Sequence, residues 1–292
     1  MTVLNRYRSV IQWLTLGLTM SASVVFGSPK LIDLSSIDSI PDNLPAISQG
    51  GVLVLRLPPH AQAWFNDKSL FIDDGMAVIA LHRDSRFAKL RIVLDSVSKT
   101  IEFPVVTRNY KIERVDGLPP AKVTPPMDPK IRQRIKNEAA TIRAARQRLD
   151  SRLDFMSDFI WPVNGRISGV YGSQRILNGT PKTPHYGVDV AVPTGTEIVA
   201  PAAGVVTYVN DDMYYSGGTL VLDHGHGLSS AFLHLSKIDV AVGDVIQQGQ
   251  TIARVGATGR ATGPHLDWRM NWGTRVRVDP QLLVPPMQHE NH

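Results

Sequence analysis

Short apolar runs separated by turn residues dominate the first part of this chain. Residues 52–55 form a continuous apolar run, and residues 90–94 alternate apolar and charged positions with the period of two that is typical of a strand. An Asp-Gly pair at 74–75 interrupts another apolar run, as expected of a hairpin turn. We therefore predict a small β-sandwich over residues 28–118.

A second set of short apolar runs, punctuated by glycine, follows between residues 160 and 288. No helical pattern alternates with these runs, so a doubly wound parallel sheet is not expected. The pattern favours an antiparallel β-domain over residues 160–288 and a mainly β fold class for the whole chain.

One helix is predicted between the two β-domains. Residues 119–128 form a proline-rich linker, because proline fixes φ and cannot continue a ladder. Asp128 as N-cap and Pro129 in the first turn start a helix, and apolar residues at helical spacing extend it over residues 129–155, about seven turns.

The polar face of this predicted helix is strongly basic. Its basic residues are Lys130, Arg132, Arg134, Lys136, Arg143, Arg146, Arg148 and Arg152. Two interpretations stay open: a solvated helix that packs between the domains through its apolar stripe, which we favour, and a docking surface for an anionic protein partner.

The first 27 residues have the pattern of an export signal. Arg6 and Arg8 precede an apolar run that ends at Phe26, and a small-residue cleavage site follows at Gly27. We expect a periplasmic mature protein that begins near Ser28 and has no stable membrane span. The alternative is that the segment stays uncleaved and anchors the protein.

Composition narrows the chemistry further. The 31 basic and 26 acidic residues give a net charge of +5, which is too small for a protein whose main task is to bind nucleic acid. Cysteine is absent, which excludes disulfides, thiol catalysis and cysteine-bound zinc. Histidine, aspartate and glutamate are left as the ligands for any metal ion.

Three segments combine histidine and aspartate at spacings that suit a metal centre. His265 and Asp267 would share one face of a strand, about 6.6 Å apart along the chain. His185 and Asp189 bind one ion only if the glycine between them lets the backbone fold back. With His234, these segments supply the three ligands and the nearby acid or base that zinc catalysis requires.

His224 and His226 also have the spacing of metal ligands. Glycines follow both, and the pair lies between two apolar runs, which indicates a hairpin tip. We interpret both histidines as structural.

Five segments, in order, resemble the motifs of the lysostaphin-type (LytM-like) zinc endopeptidases, which cut peptide cross-links in bacterial cell walls. The segments are 172–179, 185–189, 234–236, 255–260 and 262–266. The resemblance covers residues 160–285, and the β-domain and basic helix before it are similar to the N-terminal region of periplasmic Gram-negative members.

The resemblance implies a role for each motif residue. His185 and Asp189 correspond to zinc ligands, His234 to a catalytic histidine and His265 to a second histidine that assists catalysis. Asp267 stands where the family has its third ligand, a histidine. Aspartate binds zinc through oxygen, so we predict a Zn²⁺ site of His185, Asp189 and Asp267.

The implied function is a zinc metalloendopeptidase that hydrolyses peptidoglycan, with the stem peptides of the cell wall as substrate. The alternative is a non-catalytic member that binds the wall or activates other murein hydrolases, because Asp267 departs from the usual ligand set. Two carboxylates and one imidazole would also leave the zinc centre formally neutral, and a weaker Lewis acid. Arg175 and Asn178, in the loop before the ligands, either line the substrate groove or make ordinary loop hydrogen bonds.

Overall fold

The computed structural model describes residues 29–287, apart from 39, 42, 118–125 and 127. The predicted export signal, most of the proline-rich linker and residues 288–292 therefore lie outside the described residues. Within the described part of the chain, no helix combines the length and the apolar character needed to cross a membrane.

The chain before the linker folds into three small sheets around one core. Its strands are β1 (Lys30–Asp33), β2 (Ile47–Ser48), β3 (Val52–Arg56), β4 (Gln62–Phe65), β5 (Lys68–Ser69), β6 (Met76–Ala80), β7 (Lys89–Leu94), β8 (Val97–Glu102), β9 (Val105–Val106) and β10 (Ile112–Val115). The sheets have the orders β1-β3-β6, β5-β4-β7-β8 and β2-β9, and apolar side chains of all three pack in a common core. Asp74 and Gly75 adopt positive φ values of 45° and 71°, which confirms the predicted tight turn.

The chain after the linker contains one helix and a second set of strands. The helix, α1, comprises Pro129–Ala145, and a short 3₁₀ turn follows at Asp154–Met156. The strands are β11 (Arg166–Gly169), β12 (Gln174–Leu177), β13 (Thr180–Pro181), β14 (Val188–Ala191), β15 (Glu197–Val199), β16 (Gly204–Met213), β17 (Gly217–Asp223), β18 (Leu228–Leu235), β19 (Lys237–Ile238), β20 (Val245–Ile246), β21 (Thr251–Arg254), β22 (Leu266–Trp272) and β23 (Val276–Val278). A second 3₁₀ turn at Pro280–Leu282 follows β23.

The largest sheet has the order β11-β14-β22-β18-β17-β16-β20, and β23 pairs with β22. Every strand pair in it is antiparallel. The mainly β fold class and the antiparallel C-terminal domain are therefore confirmed. Two three-stranded sheets, β15-β21-β19 and β10-β12-β13, lie beside it.

Strand β3 is buried on both faces because it lies between two cores. Leu53 and Leu55 pack in the N-terminal core, whereas Val52 and Val54 pack in the core of the large antiparallel sheet. A continuous apolar run, rather than an alternating one, is the pattern expected of such a strand. The two β-regions therefore share buried surface.

Strand β22 presents two chemically different faces. Trp268 and Met270 are completely buried in the apolar core. Because successive side chains point to opposite faces, Asp267 and Arg269 lie on the other face. The antiparallel register between β14 and β22 places Asp189 directly opposite Asp267.

Helix α1 starts as predicted but ends ten residues before the predicted end at residue 155. The carboxylate of Asp128 accepts a hydrogen bond from the Lys130 N–H at 2.7 Å, as an N-cap does. Beyond Ala145 the backbone instead bonds to the tip of the β17-β18 hairpin, where the N–H of His226 donates to the Asp150 carbonyl at 3.1 Å. These tertiary bonds replace the local ones that would continue the helix.

Arg152 holds the segment after the helix through two carboxylates, one of which is buried. Its guanidinium donates to Asp223 at 2.5 Å and to Asp154 at 2.5 Å. The side chain of Asp223, at the end of β17, is only 4% exposed. Burial raises the pKa of Asp223 to about 6, although Arg152 opposes the shift.

We predict that Arg152→Ala lowers the free energy of unfolding by about 3 kcal/mol at pH 7.5, because it leaves a buried carboxylate without its main partner. The loss becomes smaller at pH 5. A carboxyl group whose pKa is raised in the folded state contributes stability below that pKa, and this contribution is lost as pH rises through it. At pH 5 most Asp223 is protonated, so removal of Arg152 leaves less buried negative charge without a partner. Urea unfolding at both pH values measures the effect.

Arg132→Ala, on the exposed surface of α1, is the control and should change stability by less than about 0.5 kcal/mol. An equal loss at both pH values would contradict this account of Asp223.

Candidate metal centre

The fold brings together the three residues predicted as metal ligands. One ligand atom from each of His185, Asp189 and Asp267 lies within 4.8 Å of the others. The Nε2 atom of His185 is 3.2 Å from the Oδ1 atom of Asp189, and both atoms are buried without a hydrogen-bond partner. Two ligands on a tetrahedral zinc ion are roughly 3.3 Å apart when each bond is ~2.0–2.1 Å long. The donor set therefore fits a divalent metal ion.

Backbone bonds and two glycines position these ligands. The His185 N–H donates to the Ser173 carbonyl at 2.8 Å, which ties the residue to the loop before β12. A Cβ atom at Gly187 would lie 2.6 Å from the Asp267 Oδ1 atom, and one at Gly169 would lie 2.2 Å from the Asp189 Oδ2 atom. The glycine at 187 is thus required for space next to the third ligand, whereas the sequence suggested that it was needed to turn the backbone.

Sequence reasoning missed Arg269, which contacts Asp267 directly. The Nε atom of Arg269 donates to both carboxylate oxygens, at 2.9 and 3.0 Å, and its Nη2 atom donates to Oδ2 at 2.5 Å. Burial alone would raise the pKa of Asp267, but the charge and hydrogen bonds of Arg269 hold it below its usual value. These bonds use about three of the four lone-pair sites of the carboxylate, which leaves one on Oδ1 for a metal.

The Asp267–Arg269 pair has no net formal charge. It stands where the resemblance places a neutral imidazole, so it introduces no additional negative charge at the centre. The sequence-based prediction of a formally neutral zinc centre included the negative charge of Asp267 but not the positive charge of Arg269. Arg269 was detectable in principle, because the residue two positions after Asp267 shares its face of the strand.

His234 and His265 lie side by side, with ring centroids 4.8 Å apart. The Nδ1 atom of His234 is 2.8 Å from the Thr258 carbonyl, and that of His265 is 2.8 Å from the Gly263 carbonyl. A carbonyl oxygen only accepts, so each Nδ1 carries the proton and each Nε2 keeps a free lone pair. His234 is 7% exposed, and burial lowers its pKa, which keeps the ring neutral near pH 7.

The backbone at His234 is strained. This residue has a φ of 65°, in the left-handed region that costs a non-glycine residue about 1–3 kcal/mol. Thr258 stabilises the surroundings, since its Oγ1 atom donates to the Leu235 carbonyl at 2.9 Å and accepts from the Gly218 N–H at 2.9 Å. The same threonine orients the imidazole of His234 through its carbonyl.

Arg175 and Asn178 both contact strand β10. Arg175 on β12 forms an ion pair with Glu113 of β10, with an Nε–Oε2 distance of 3.3 Å. The N–H of Asn178 donates to the Val115 carbonyl at 2.9 Å. These contacts favour the interpretation of ordinary loop hydrogen bonding.

His224 and His226 lie at the tip of the β17-β18 hairpin, as predicted. The two ring nitrogens of His224 are 2.7 Å from the Ala203 carbonyl and 2.8 Å from the Ser230 hydroxyl, and burial lowers the pKa of His224 to about 4. His226 packs against Phe71 and Phe155. Both histidines therefore have structural surroundings.

Two comparisons identify the family to which this site belongs. Residues 183–280 match the model of peptidase family M23. The crystal structure of a protein described as a peptidase M23 from Pseudomonas aeruginosa is 32% identical and matches with a TM-score of 0.61 over 83% of this chain and 96% of that one. The fold and site define an M23-type peptidase, and the chain belongs to peptidase family M23.

Curated relatives match mainly in the same region. The peptidoglycan DD-endopeptidase ShyA of Vibrio cholerae is 38% identical over 113 residues, which are 38% of this chain and 26% of ShyA. The cell division protein DipM of Caulobacter vibrioides is 30% identical over 132 residues, which are 44% of this chain and 21% of DipM. The matched part therefore covers about a fifth to a quarter of these relatives.

We predict that Gly187→Ala lowers the free energy of unfolding by about 1–3 kcal/mol, because the added methyl group would collide with Asp267 and Arg269. Thermal and urea unfolding of the metal-free protein measure the loss. Gly263→Ala is the matched control, since nothing lies within 4 Å of a Cβ atom there. If the two variants had the same stability, close packing at Gly187 would not hold Asp267 in place.

Proposed function

We propose that this protein is a zinc-dependent endopeptidase that hydrolyses peptide cross-links of peptidoglycan. The observation that carries the proposal is the pair of buried, unpartnered ligand atoms on His185 and Asp189, with Asp267 beside them. Membership of peptidase family M23 supports the reaction class. The names of ShyA and other similar proteins as peptidoglycan DD-endopeptidases support the substrate class.

His185, Asp189 and Asp267 would hold the Zn²⁺ ion, which supplies the Lewis acidity for hydrolysis of a peptide bond. Arg269 sets the charge of this ligand group. Two carboxylates and one guanidinium sum to −1, the same as one carboxylate with two neutral imidazoles. The exchange of histidine for aspartate at position 267 is therefore compatible with an ordinary zinc charge balance.

His234 and His265 supply the proton chemistry. Each ring holds its proton on Nδ1 against a backbone carbonyl, so Nε2 is free to accept a proton from the attacking water. Once protonated, the same nitrogen can donate to the carbonyl oxygen or to the leaving amine. A histidine positioned in this way typically contributes ~10²–10⁴ to the rate.

The proposal places this activity outside the cytoplasm, where peptidoglycan lies. The export pattern of residues 1–27 supports that location.

A second candidate function is a non-catalytic wall-binding protein that activates other hydrolases. The observation that favours it is Arg269, whose guanidinium gives Asp267 a positive partner within the chain. If that pair substitutes for the metal, the fold would persist without zinc and without hydrolysis. Zinc affinity therefore separates the two candidates.

We predict that His234→Ala and His265→Ala each reduce the release of muropeptides from purified sacculi by at least 100-fold, while zinc stoichiometry stays near one per chain. Asp189→Ala should lose both zinc and activity, because it removes a ligand. Elemental analysis and muropeptide profiling provide the two measurements. Loss of zinc from either histidine variant would show that its role is misassigned.

We predict that Arg269→Met binds zinc at least tenfold more tightly than the wild-type protein, because a positive charge next to the ion is removed. Arg269→Lys keeps the charge and serves as the control. Competition with a zinc chelator gives the affinities without any measurement of activity. If the wild-type protein binds no zinc and Arg269→Met does, the positive charge of Arg269 takes the place of the metal ion beside Asp267. That result would support the regulatory function.

A further inference from the structure

A cleft of about 800 Å³ lies between helix α1 and the strands β22 and β23. Ile142 and Arg146 line it from the helix side, and Arg277 from β23. His234 and Arg269 also line it, so the cleft is continuous with the candidate metal centre. A molecule bound in the cleft would therefore reach the residues proposed to act on the scissile bond.

The cleft is strongly cationic. The arginines that line it are Arg143, Arg146, Arg260, Arg269, Arg275 and Arg277. Among the described lining residues, Glu138 is the one acidic side chain, and it already accepts hydrogen bonds from Arg134 at 2.7 Å and from the Tyr214 N–H at 3.0 Å. Within the described part of the chain, Arg269 is the one cleft arginine with a carboxylate partner.

Arg146 is the most unusual member of this group. It is 8% exposed, its Nε atom has no hydrogen-bond partner, and no carboxylate of the described residues forms an ion pair with it. Burial removes water from a guanidinium group, and without an anionic partner no ion pair offsets this desolvation cost. Burial and the charges of Arg277 and Arg269 lower the pKa of Arg146 to about 9.

Arg277 adds a second, partly buried charge. Its Nη1 atom donates to the side-chain oxygen of Asn271, a neutral partner. Its guanidinium lies 5.9 Å from the ring centroid of Tyr186, the residue after the predicted ligand His185. Burial and the charge of Arg269 lower the pKa of Arg277 to about 10. Two guanidinium groups without an anion thus lie next to the centre.

We propose that this cleft binds a free carboxylate of the peptide substrate, with Arg146 and Arg277 as its ligands. A guanidinium presents parallel N–H groups that match the two oxygens of a carboxylate. The carboxylate would neutralise the excess charge that the protein leaves uncompensated. Because the cleft reaches His234, we assign this group to the free α-carboxylate of the residue beside the scissile bond.

This assignment rests on the proposed function, because it takes the ligand to be part of the hydrolysed peptide. It explains why the arginines are placed on elements that converge on His234. It also gives Arg146, directly after the last residue of α1, a specific role, which differs from both a solvated surface and a surface for docking another protein. Arg146 and Arg277 act on substrate binding and orientation, and the chemistry stays with His234 and His265.

The test is calorimetric titration of the metal-free, full-length protein with N-acetyl-D-alanyl-D-alanine and with the same dipeptide as its C-terminal amide, at low ionic strength. The wild-type protein should bind the carboxylate form at least tenfold more tightly than the amide. Arg146→Met and Arg277→Met should each lose at least tenfold in affinity for the carboxylate form. Arg146→Lys, which keeps a positive charge, should recover part of the loss, and Arg132→Met should behave like wild type.

Equal binding of the two dipeptides, or unchanged binding by Arg146→Met with normal thermal unfolding, would overturn the assignment. Inorganic phosphate is the competing probe, and tighter binding of phosphate than of the dipeptide would also overturn it in favour of a phosphate-bearing ligand. Because the metal-free titration needs no hydrolysis, it is independent of the proposed activity. Carboxylate binding without cleavage of sacculi by the zinc-loaded protein would remove the proposed function and leave the carboxylate site.

Discussion

Two carboxylates face each other across adjacent strands, and the chemistry of the site depends on how their charges are balanced. The register of β14 and β22 places Asp189 opposite Asp267, at a spacing where side chains of directly paired residues are about 4.5–5.5 Å apart. Like charges at such positions are destabilising. Arg269 balances the charge of Asp267 through direct hydrogen bonds, whereas the buried Oδ1 atom of Asp189 has no hydrogen-bond partner among the described residues.

The two aspartates thus have different partners, and the two faces of β22 differ in the same region. Trp268 packs in the apolar core on one face of β22. Arg269, on the opposite face, lines the cleft together with His234. Arg269 donates hydrogen bonds to Asp267, so this carboxylate is satisfied within its own strand. Only His185 and Asp189 retain unsatisfied ligand atoms among these three residues.

The sequence was informative where function depends on short, regular spacing. The period of two in a strand predicted that His265 and Asp267 share a face, and antiparallel strands brought Asp189 next to them. The same period also placed Arg269 on that face, but a search for metal-ligand residue types does not detect an arginine. The amino acids of the cluster were therefore predictable, whereas its charge balance was not.

Features that depend on distant partners could not be derived in this way. Helix α1 stops at Ala145 because the chain beyond it bonds to a hairpin tip about 70 residues later, and no local pattern encodes that contact. The arginine-rich cleft is likewise formed by residues that are distant from one another in the sequence. Arg146 follows the helix and Arg277 lies on β23, so their approach is a product of tertiary structure.

The parallel pairing of β10 with β12 means that the peptidase region is not an independent module. Residues Ile112–Val115, from before the proline-rich linker, cover one edge of the strand Gln174–Leu177, which follows the loop that binds His185. A chain that began after the linker would expose that edge, and unpaired strand edges favour association with other chains. The N-terminal half thus covers this edge and protects it against association with other chains, and the two halves are expected to unfold cooperatively.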